Sequence, residues 1–339
     1  MTTIFEEEIR SQGALIRARA DRGYEQAARA VAAWGDQSYC LVAARGSSDN
    51  AAVFFQYLAG RETGLLVALA APSLFDRDAL RLGGAGVLAI SQSGRSPGIA
   101  DVLAHAGRQG RPSVVITNDV RAPLVEVADV VIDLAAGPER ALASTKTFST
   151  TWHALAQLTS AMRAAPLPGV DELGDVVDAA VEDLLARDVP DPLLEVRTGL
   201  TVVGRGVGYA AAREIAIKVR EVAGVRAEAF SVADFLHGPI GADGEGAALL
   251  LVVTDELSDA LATEVLEGSR ETGLSTTVLA PTSRSTPVGD ARVALGDTPN
   301  WSLGLVEVVF GQVLALRLGE RRGRPIDTSP GLTKVTLSA

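Results

Sequence analysis

Cysteine is almost missing from this 339-residue chain: Cys40 stands alone, which excludes an internal disulfide framework and fits a reducing compartment. Lysine is nearly as scarce. Among 31 lysines and arginines only Lys146, Lys218 and Lys334 are lysine. Arginine therefore serves wherever any positive charge suffices, and the three exceptions become candidates for sites that need a compact ammonium. Positive charge as a whole is also deficient. A formal net charge of -11 argues against a nucleic-acid partner, which a broad basic surface would have to meet; a single small phosphate needs only a few local donors. No apolar run is expected to reach the length of a bilayer span, and Glu6, Glu7 and Glu8 stand where a secretory signal would be basic. These absences predict a cytoplasmic protein without membrane contact.

What is present is organised around Ser91 to Pro97, SQSGRSP, directly after the apolar run Val87 to Ile90. The run predicts a buried strand. Ser96 suits an N-cap and Pro97 a first helical position, and Ile99, Val102, Leu103 and Ala106 recur at helical spacing until Gly110. Free N–H groups and the positive end of the helix dipole make such a turn a site for a phosphate dianion, with Ser91, Gln92, Ser93 and Ser96 as side-chain donors. An ordinary βα loop with a capping serine is the alternative.

Helices are predicted for Ile4 to Ala20 and Tyr24 to Trp34, outside a first sheet. Tyr39 to Ala44 reads as a strand, followed by a second hydroxyl-bearing turn, Arg45 to Asp49, and a helix to about Leu58. Apolar runs at Leu65 to Ala70, Val114 to Thr117 and Val130 to Leu134 alternate with helical stretches, as a parallel α/β sheet requires. Both serine turns then lie at carboxyl ends of strands, where such sheets bind ligands. The segment Gly137 to Thr147, GPERALASTKT, is a loop whose Ser144 or Thr145 could cap the next helix. Asp171 to Asp188 reads as a helix, and Val189 to Pro192 as an interdomain linker. The second half repeats the first: Arg205-Gly206 matches Arg45-Gly46, Leu250 to Thr254 matches Val87 to Ser91, Thr277-Val278 matches Val114-Val115, and Ala291 to Ala294 matches Ala128 to Val131. The expectation is two similar doubly wound parallel α/β domains, residues 1–188 with the phosphate site and residues 189–339 with a catalytic segment.

Gly204, Gly206 and Gly208 lack the G-x-G-x-x-G spacing and a following acidic residue, so a dinucleotide is not expected, and no cofactor or metal is. Glu214, Lys218 and Glu221 share one helix face. For Glu214 with Lys218 a surface salt-bridge ladder is the expected reading. The stretch Ala227 to Pro239, AEAFSVADFLHGP, places Glu228, Asp234 and His237 in a segment with little core-helix character, and a carboxylate with an imidazole near a phosphate can move protons on a sugar phosphate. His105 and His153 lie in helical patterns and read as structural.

At these motifs the chain resembles the sugar isomerase (SIS) domain family, most closely the isomerase half of glucosamine-6-phosphate synthase and its isomerase and deaminase relatives. The likeness runs from EIRSQ at Glu8 to Gln12 through RGSS, SQSGRS, ERALASTK, IAIKVREVAGVRAEAF and DFLHGP to GLTKV. It implies two SIS domains in tandem, each an α-β-α sandwich. It implies that Ser48, Ser91, Gln92, Ser93 and Ser96 hold the phosphate with Ser47 nearby, and that Ser144 and the Leu142 backbone hold sugar hydroxyls. Glu221 would shuttle a proton between C1 and C2, His237 would assist ring opening, Lys218 and Lys334 would stabilise charge on oxygen, and Glu139 would place or polarise the site. The histidine would come from the neighbouring subunit of a homodimer.

The departures shape the expected reaction. The sequence begins directly at the isomerase half, which implies no glutamine-derived ammonia and favours ammonia release. Arg95 stands where an acidic residue is common, and Leu236 replaces a lysine beside the histidine. The expected function is conversion of glucosamine 6-phosphate to fructose 6-phosphate and ammonia. A dehydratase of N-acetylglucosamine 6-phosphate, a fructosamine-phosphate deglycase and a non-catalytic phosphosugar sensor are the alternatives. Lys334 is expected on a tail that closes over bound ligand.

Overall fold

The computed structural model describes residues 2–75 and 80–328. Two compact units emerge. One consists of Ala14–Glu139 with Lys146–Leu173, the other of residues 2–13, Arg140–Thr145 and residues 174–328.

The first unit is built on a five-stranded parallel sheet of β1 (Tyr39–Ala43), β2 (Leu66–Leu69), β3 (Ala85–Ile90), β4 (Ser113–Thr117) and β5 (Val130–Asp133), in the order β2-β1-β3-β4-β5. Every residue of β3 and β4 is buried. That is why these strands read as continuous apolar runs rather than alternating ones. Helices α2 (Gln12–Trp34), α3 (Ser47–Thr63), α4 (Pro97–Arg108), α5 (Pro123–Val127) and α6 (Lys146–Met162) accompany the sheet. Phe54 of α3 stacks on Trp152 of α6 at 3.6 Å between ring centroids, while Ile99, Val102, Leu103 and Ala106 of α4 pack on Val87 and Ala89 of β3. Strand order reverses between β1 and β3, so the turns that follow these two strands open side by side at the topological switch point.

The second unit repeats the plan. Strands β6 (Gly199–Gly204), β7 (Ala227–Ser231), β8 (Ala247–Val252), β9 (Ser275–Pro281) and β10 (Ala291–Leu295) form a parallel sheet ordered β10-β9-β8-β6-β7. Read from the other edge, this is the order of the first sheet. Helices α7 (Leu173–Ala186), α8 (Asp191–Leu194), α9 (Val207–Lys218), α10 (Val232–Leu236), α11 (Asp259–Glu271) and α12 (Asn300–Arg321) belong to it, with the N-terminal α1 (Ile4–Arg10).

Several expectations are corrected. The first helix ends at Ser11, whose hydroxyl donates to the Glu8 carbonyl at 2.9 Å, and α2 runs unbroken through Gly23. That glycine is a packing contact, not a breaker: a Cβ there would lie 2.2 Å from Gln157 Oε1. The stretch Val189 to Pro192 is no linker. It starts α8 inside the second unit, and the chain crosses between units around residues 13, 139, 145 and 173 instead of at 188. Residues 2–13, 140–145 and 174–188 therefore sit with the second sheet. Part of AEAFSVADFLHGP is the strand β7. Finally, α12 is long and apolar enough to cross a membrane, but 94% of its apolar window is buried inside the protein, which marks a core helix of the second unit.

His105 and His153 are both buried. Arg19 Nη1 lies 3.1 Å from His153 Nδ1 and donates to Gln157 Oε1 at 2.8 Å. A guanidinium only donates, so Nδ1 accepts and the imidazole proton sits on Nε2. Burial first, and the Arg19 charge second, lower the His153 pKa to about 3. The unfolded chain binds this proton below about pH 6.5 while the folded chain does not. The stabilisation is complete above that pH and is lost as pH falls toward 3. The unfolding free energy should fall with acidification over this window at up to ~1.4 kcal/mol per pH unit, with a shallower slope in His153→Gln. Parallel profiles for the two proteins would refute the assignment.

Candidate active site

In the first unit the SQSGRS turn links β3 to α4. Ser91 is buried and Gln92, Ser93 and Ser96 are half-buried. Ser96 occupies the N-cap position but makes no side-chain capping bond; its Oγ lies 3.3 Å from Ser91 Oγ. The hydroxyl expected to cap the helix is thus paired with another hydroxyl of the turn. Backbone bonds fix the loop: Gly94 N–H donates to Ser91 O at 3.1 Å, Asn118 N–H to Gln92 O at 3.1 Å, and Leu124 N–H to Gly94 O at 3.2 Å. Gly94 has φ 61° and a Cβ there would come 2.4 Å from Ala122 Cβ, so both conformation and space demand glycine. Arg95 points its charge at Asp119, 3.0 Å away. The Arg121 backbone N–H and then Arg95 hold the Asp119 carboxyl below its usual range.

The neighbouring turn after β1 carries Ser47 and Ser48, half-buried in the first turn of α3. Its N-cap, Gly46, offers no side-chain cap. Serine hydroxyls and a helix N-terminus from two adjacent strand ends form a donor-rich cradle suited to an anion.

Glu139 closes the first unit's stretch of the GPERALASTKT loop. It is buried, accepting the Thr147 N–H at 3.1 Å and the Thr147 hydroxyl at 2.5 Å, so it pins the loop to the start of α6. Lys146 Nζ donates to the Pro138 carbonyl at 2.7 Å. Leu142 and Ser144, both half-buried, belong to the second unit's stretch. There the buried Glu8 of α1 accepts the Arg140 and Ala141 N–H groups at 2.6 and 3.2 Å. Glu8 places this loop; its signal was the EIRSQ motif, to which no role was attached.

The second unit gathers Glu214, Lys218 and Glu221. Lys218 ends α9 fully buried, with Nζ 2.7 Å from Glu221 Oε2 and 3.4 Å from Glu214 Oε1. Glu214 is fully buried too, so the expected surface ladder is instead an internal ion pair. The Glu221 side chain keeps 26% exposure. It stands in a π-helical turn, Val219–Ala223, that continues α9, a distortion frequent at functional sites. This gives a partly exposed carboxylate held from behind by a buried ammonium, suited to carrying a proton between two carbons. His237 is exposed at the C-cap of α10. Leu236, in place of the lysine the resemblance expects, is half-buried against the second unit's core. Lys334 and the tail from 331 lie outside the described residues.

The SIS domain profile matches residues 36–161. A candidate phosphosugar isomerase from Silicibacter pomeroyi has a crystal structure that is 31% identical, covers 96% of this chain and 99% of its own, and superposes with a TM-score of 0.84. The chain belongs to the SIS domain family. The glutamine–fructose-6-phosphate aminotransferase (isomerizing) of Streptomyces coelicolor is 33% identical over 270 residues, 73% of this SIS protein and 43% of that one. The SIS chain thus spans under half the length of that relative. Glucosamine-6-phosphate deaminase from Thermotoga maritima shares the fold, with a TM-score of 0.79 at 18% identity over 99% of this chain and 100% of its own.

Proposed function

We propose that this protein is a phosphosugar isomerase acting on a hexosamine 6-phosphate, converting glucosamine 6-phosphate and water to fructose 6-phosphate and ammonia. The observation that carries the reading is Glu221 itself: a half-exposed carboxylate on a π-turn, bonded at 2.7 Å to a fully buried lysine. In this reading both sheets are SIS domains in tandem, and the first keeps the anion cradle. Ser48, Ser91, Gln92, Ser93 and Ser96, with Ser47, anchor the phosphate; Ser144 and the Leu142 backbone take sugar hydroxyls; Glu139 fixes their loop. The protein acts as a homodimer in which His237 serves the neighbouring subunit in ring opening, and Lys334 joins Lys218 in stabilising negative oxygen.

The chemistry follows from what the base can reach. Once the ring opens, the C1 carbonyl acidifies the C2–H bond. Glu221 takes that proton, the C–H electron pair becomes the C1–C2 double bond, the C1–O π pair moves onto O1, which takes up a proton, and the enolamine forms. Returning the proton to C1 gives the ketose imine, and water adds at C2 to expel ammonia. Binding energy from the phosphate, remote from the reacting carbons, orients C1 and C2 toward the base.

The test is a proton and phosphorus NMR time course with glucosamine 6-phosphate and, separately, N-acetylglucosamine 6-phosphate. Fructose 6-phosphate with ammonium from the first is expected. No conversion of the first, with an olefinic product from the second, would replace the deaminase by a dehydratase that uses the same C2 proton. Saturable binding of both with conversion of neither would make the protein a sensor.

A further inference from the structure

The same glycine follows the first strand of each sheet's switch point. Gly46 precedes α3 with φ 58° and ψ -132°, and Gly206 precedes α9 with φ 58° and ψ -127°. What stands above them differs. A Cβ on Gly46 would meet nothing within 4 Å, whereas one on Gly206 would fall 1.1 Å from Glu256 Oε2. That oxygen accepts the Val207 N–H, the first amide of α9, at 2.9 Å. Glu256 comes from the turn between β8 and α11, the counterpart in this sheet of the SQSGRS turn between β3 and α4.

This second turn is firmly braced. Arg284 donates to the carbonyls of Thr254 and Leu257, Asn300 Oδ1 accepts the Asp255 N–H at 3.0 Å, and Ser258 caps α11. A further carboxyl lies nearby. Glu307 of α12 is fully buried, and neither of its oxygens has a hydrogen-bond partner among the described residues. Helix α12 runs beside α9, with Gly311 against Ile215 and Gly319 close to Val222, which puts Glu307 alongside the start of α9. Burial first and the Glu256 charge second push its pKa well up.

We propose that Glu256 is a built-in substitute for an anionic ligand: its carboxylate fills, in the second sheet, the place the first sheet offers to a phosphate. It is a positioning residue. By satisfying the N-terminus of α9 it fixes the helix that carries Glu214 and Lys218 and leads into the π-turn of Glu221. The inference rests on the phosphate reading of the first cradle, but its test does not depend on turnover.

The experiment compares wild type, Glu256→Ala and Glu256→Gln by thermal unfolding, by hydrogen exchange over residues 205–210 and by sugar-phosphate turnover, each with and without acetate. Glu256→Ala should lose about 3–6 °C of midpoint, the scale of a lost helix-terminal charge interaction, and should exchange faster over 205–210. Acetate, a free carboxylate of the right size, should restore midpoint, protection and turnover in Glu256→Ala while leaving wild type unchanged. Glu256→Gln should show a smaller loss and no acetate response. Acetate acting equally on all three, or unchanged exchange over 205–210 in Glu256→Ala, would overturn the proposal. If wild type turns over no sugar phosphate, midpoint and exchange still decide it. If Glu256→Ala does not fold, faster exchange over 205–210 in Glu256→Gln supports it and unchanged exchange sinks it.

Discussion

Glu221→Gln is expected to lose turnover of glucosamine 6-phosphate by ~10²-fold or more, the usual cost of removing a general base, while substrate binding stays within a few-fold. The substitution is close to isosteric. Its amide oxygen can still accept from Lys218 Nζ, now 2.7 Å from Glu221 Oε2, so the π-turn keeps its local contact and only the basicity goes. Calorimetric titration would show affinity retained, because in the proposed reaction the serines of the SQSGRS turn, not Glu221, hold the phosphate. Exchange of the C2 hydrogen with deuterated solvent separates proton abstraction from later steps, and it should vanish along with turnover. Near-wild-type turnover or continued C2 exchange would remove Glu221 from the base role.

How much of this was legible beforehand depends on how local each feature is. The SQSGRS turn could be read because a strand, a turn and a helix start are written within a dozen residues. Even there the sequence suggests Ser96 as a cap, whereas its hydroxyl meets Ser91. Helical spacing put Glu214, Lys218 and Glu221 on one face, yet spacing alone does not say whether that face meets water or a core. It meets the core, since Lys218 and Glu214 are both fully buried. The π-turn leaves no sequence signature at all, because VREVA is compatible with an ordinary helix. Gly23 looks like a breaker until Gln157 is placed beside it, and α7 looks contiguous with the first domain until contacts assign it to the second sheet. The loss of hydroxyls at Asp255 to Leu257 is legible in the sequence, but the part Glu256 plays is not, since it comes from Val207 and Gly206, about fifty residues away in the chain.

The second large effect is expected from Lys218→Met. Methionine fills much the same volume, so packing is largely kept. The loss is electrostatic: Glu214, fully buried, and Glu221, partly buried, would lose the ammonium they share at 3.4 and 2.7 Å. Breaking a buried pair from one side costs about 3–5 kcal/mol, because a charge is left in a poorly polarisable interior, whereas replacing both partners with neutral groups is often nearly neutral. Urea unfolding of Lys218→Met should therefore show a loss on that scale, and adding Glu214→Gln should recover most of it. Turnover should not follow stability. The double variant, refolded to near-wild-type resistance, should remain as inactive as Lys218→Met, because Lys218 would no longer orient Glu221 or share in stabilising negative oxygen. Recovery of activity together with stability would make Lys218 a structural cation only, and no recovery of stability would mean that Glu214 is not its buried counter-charge.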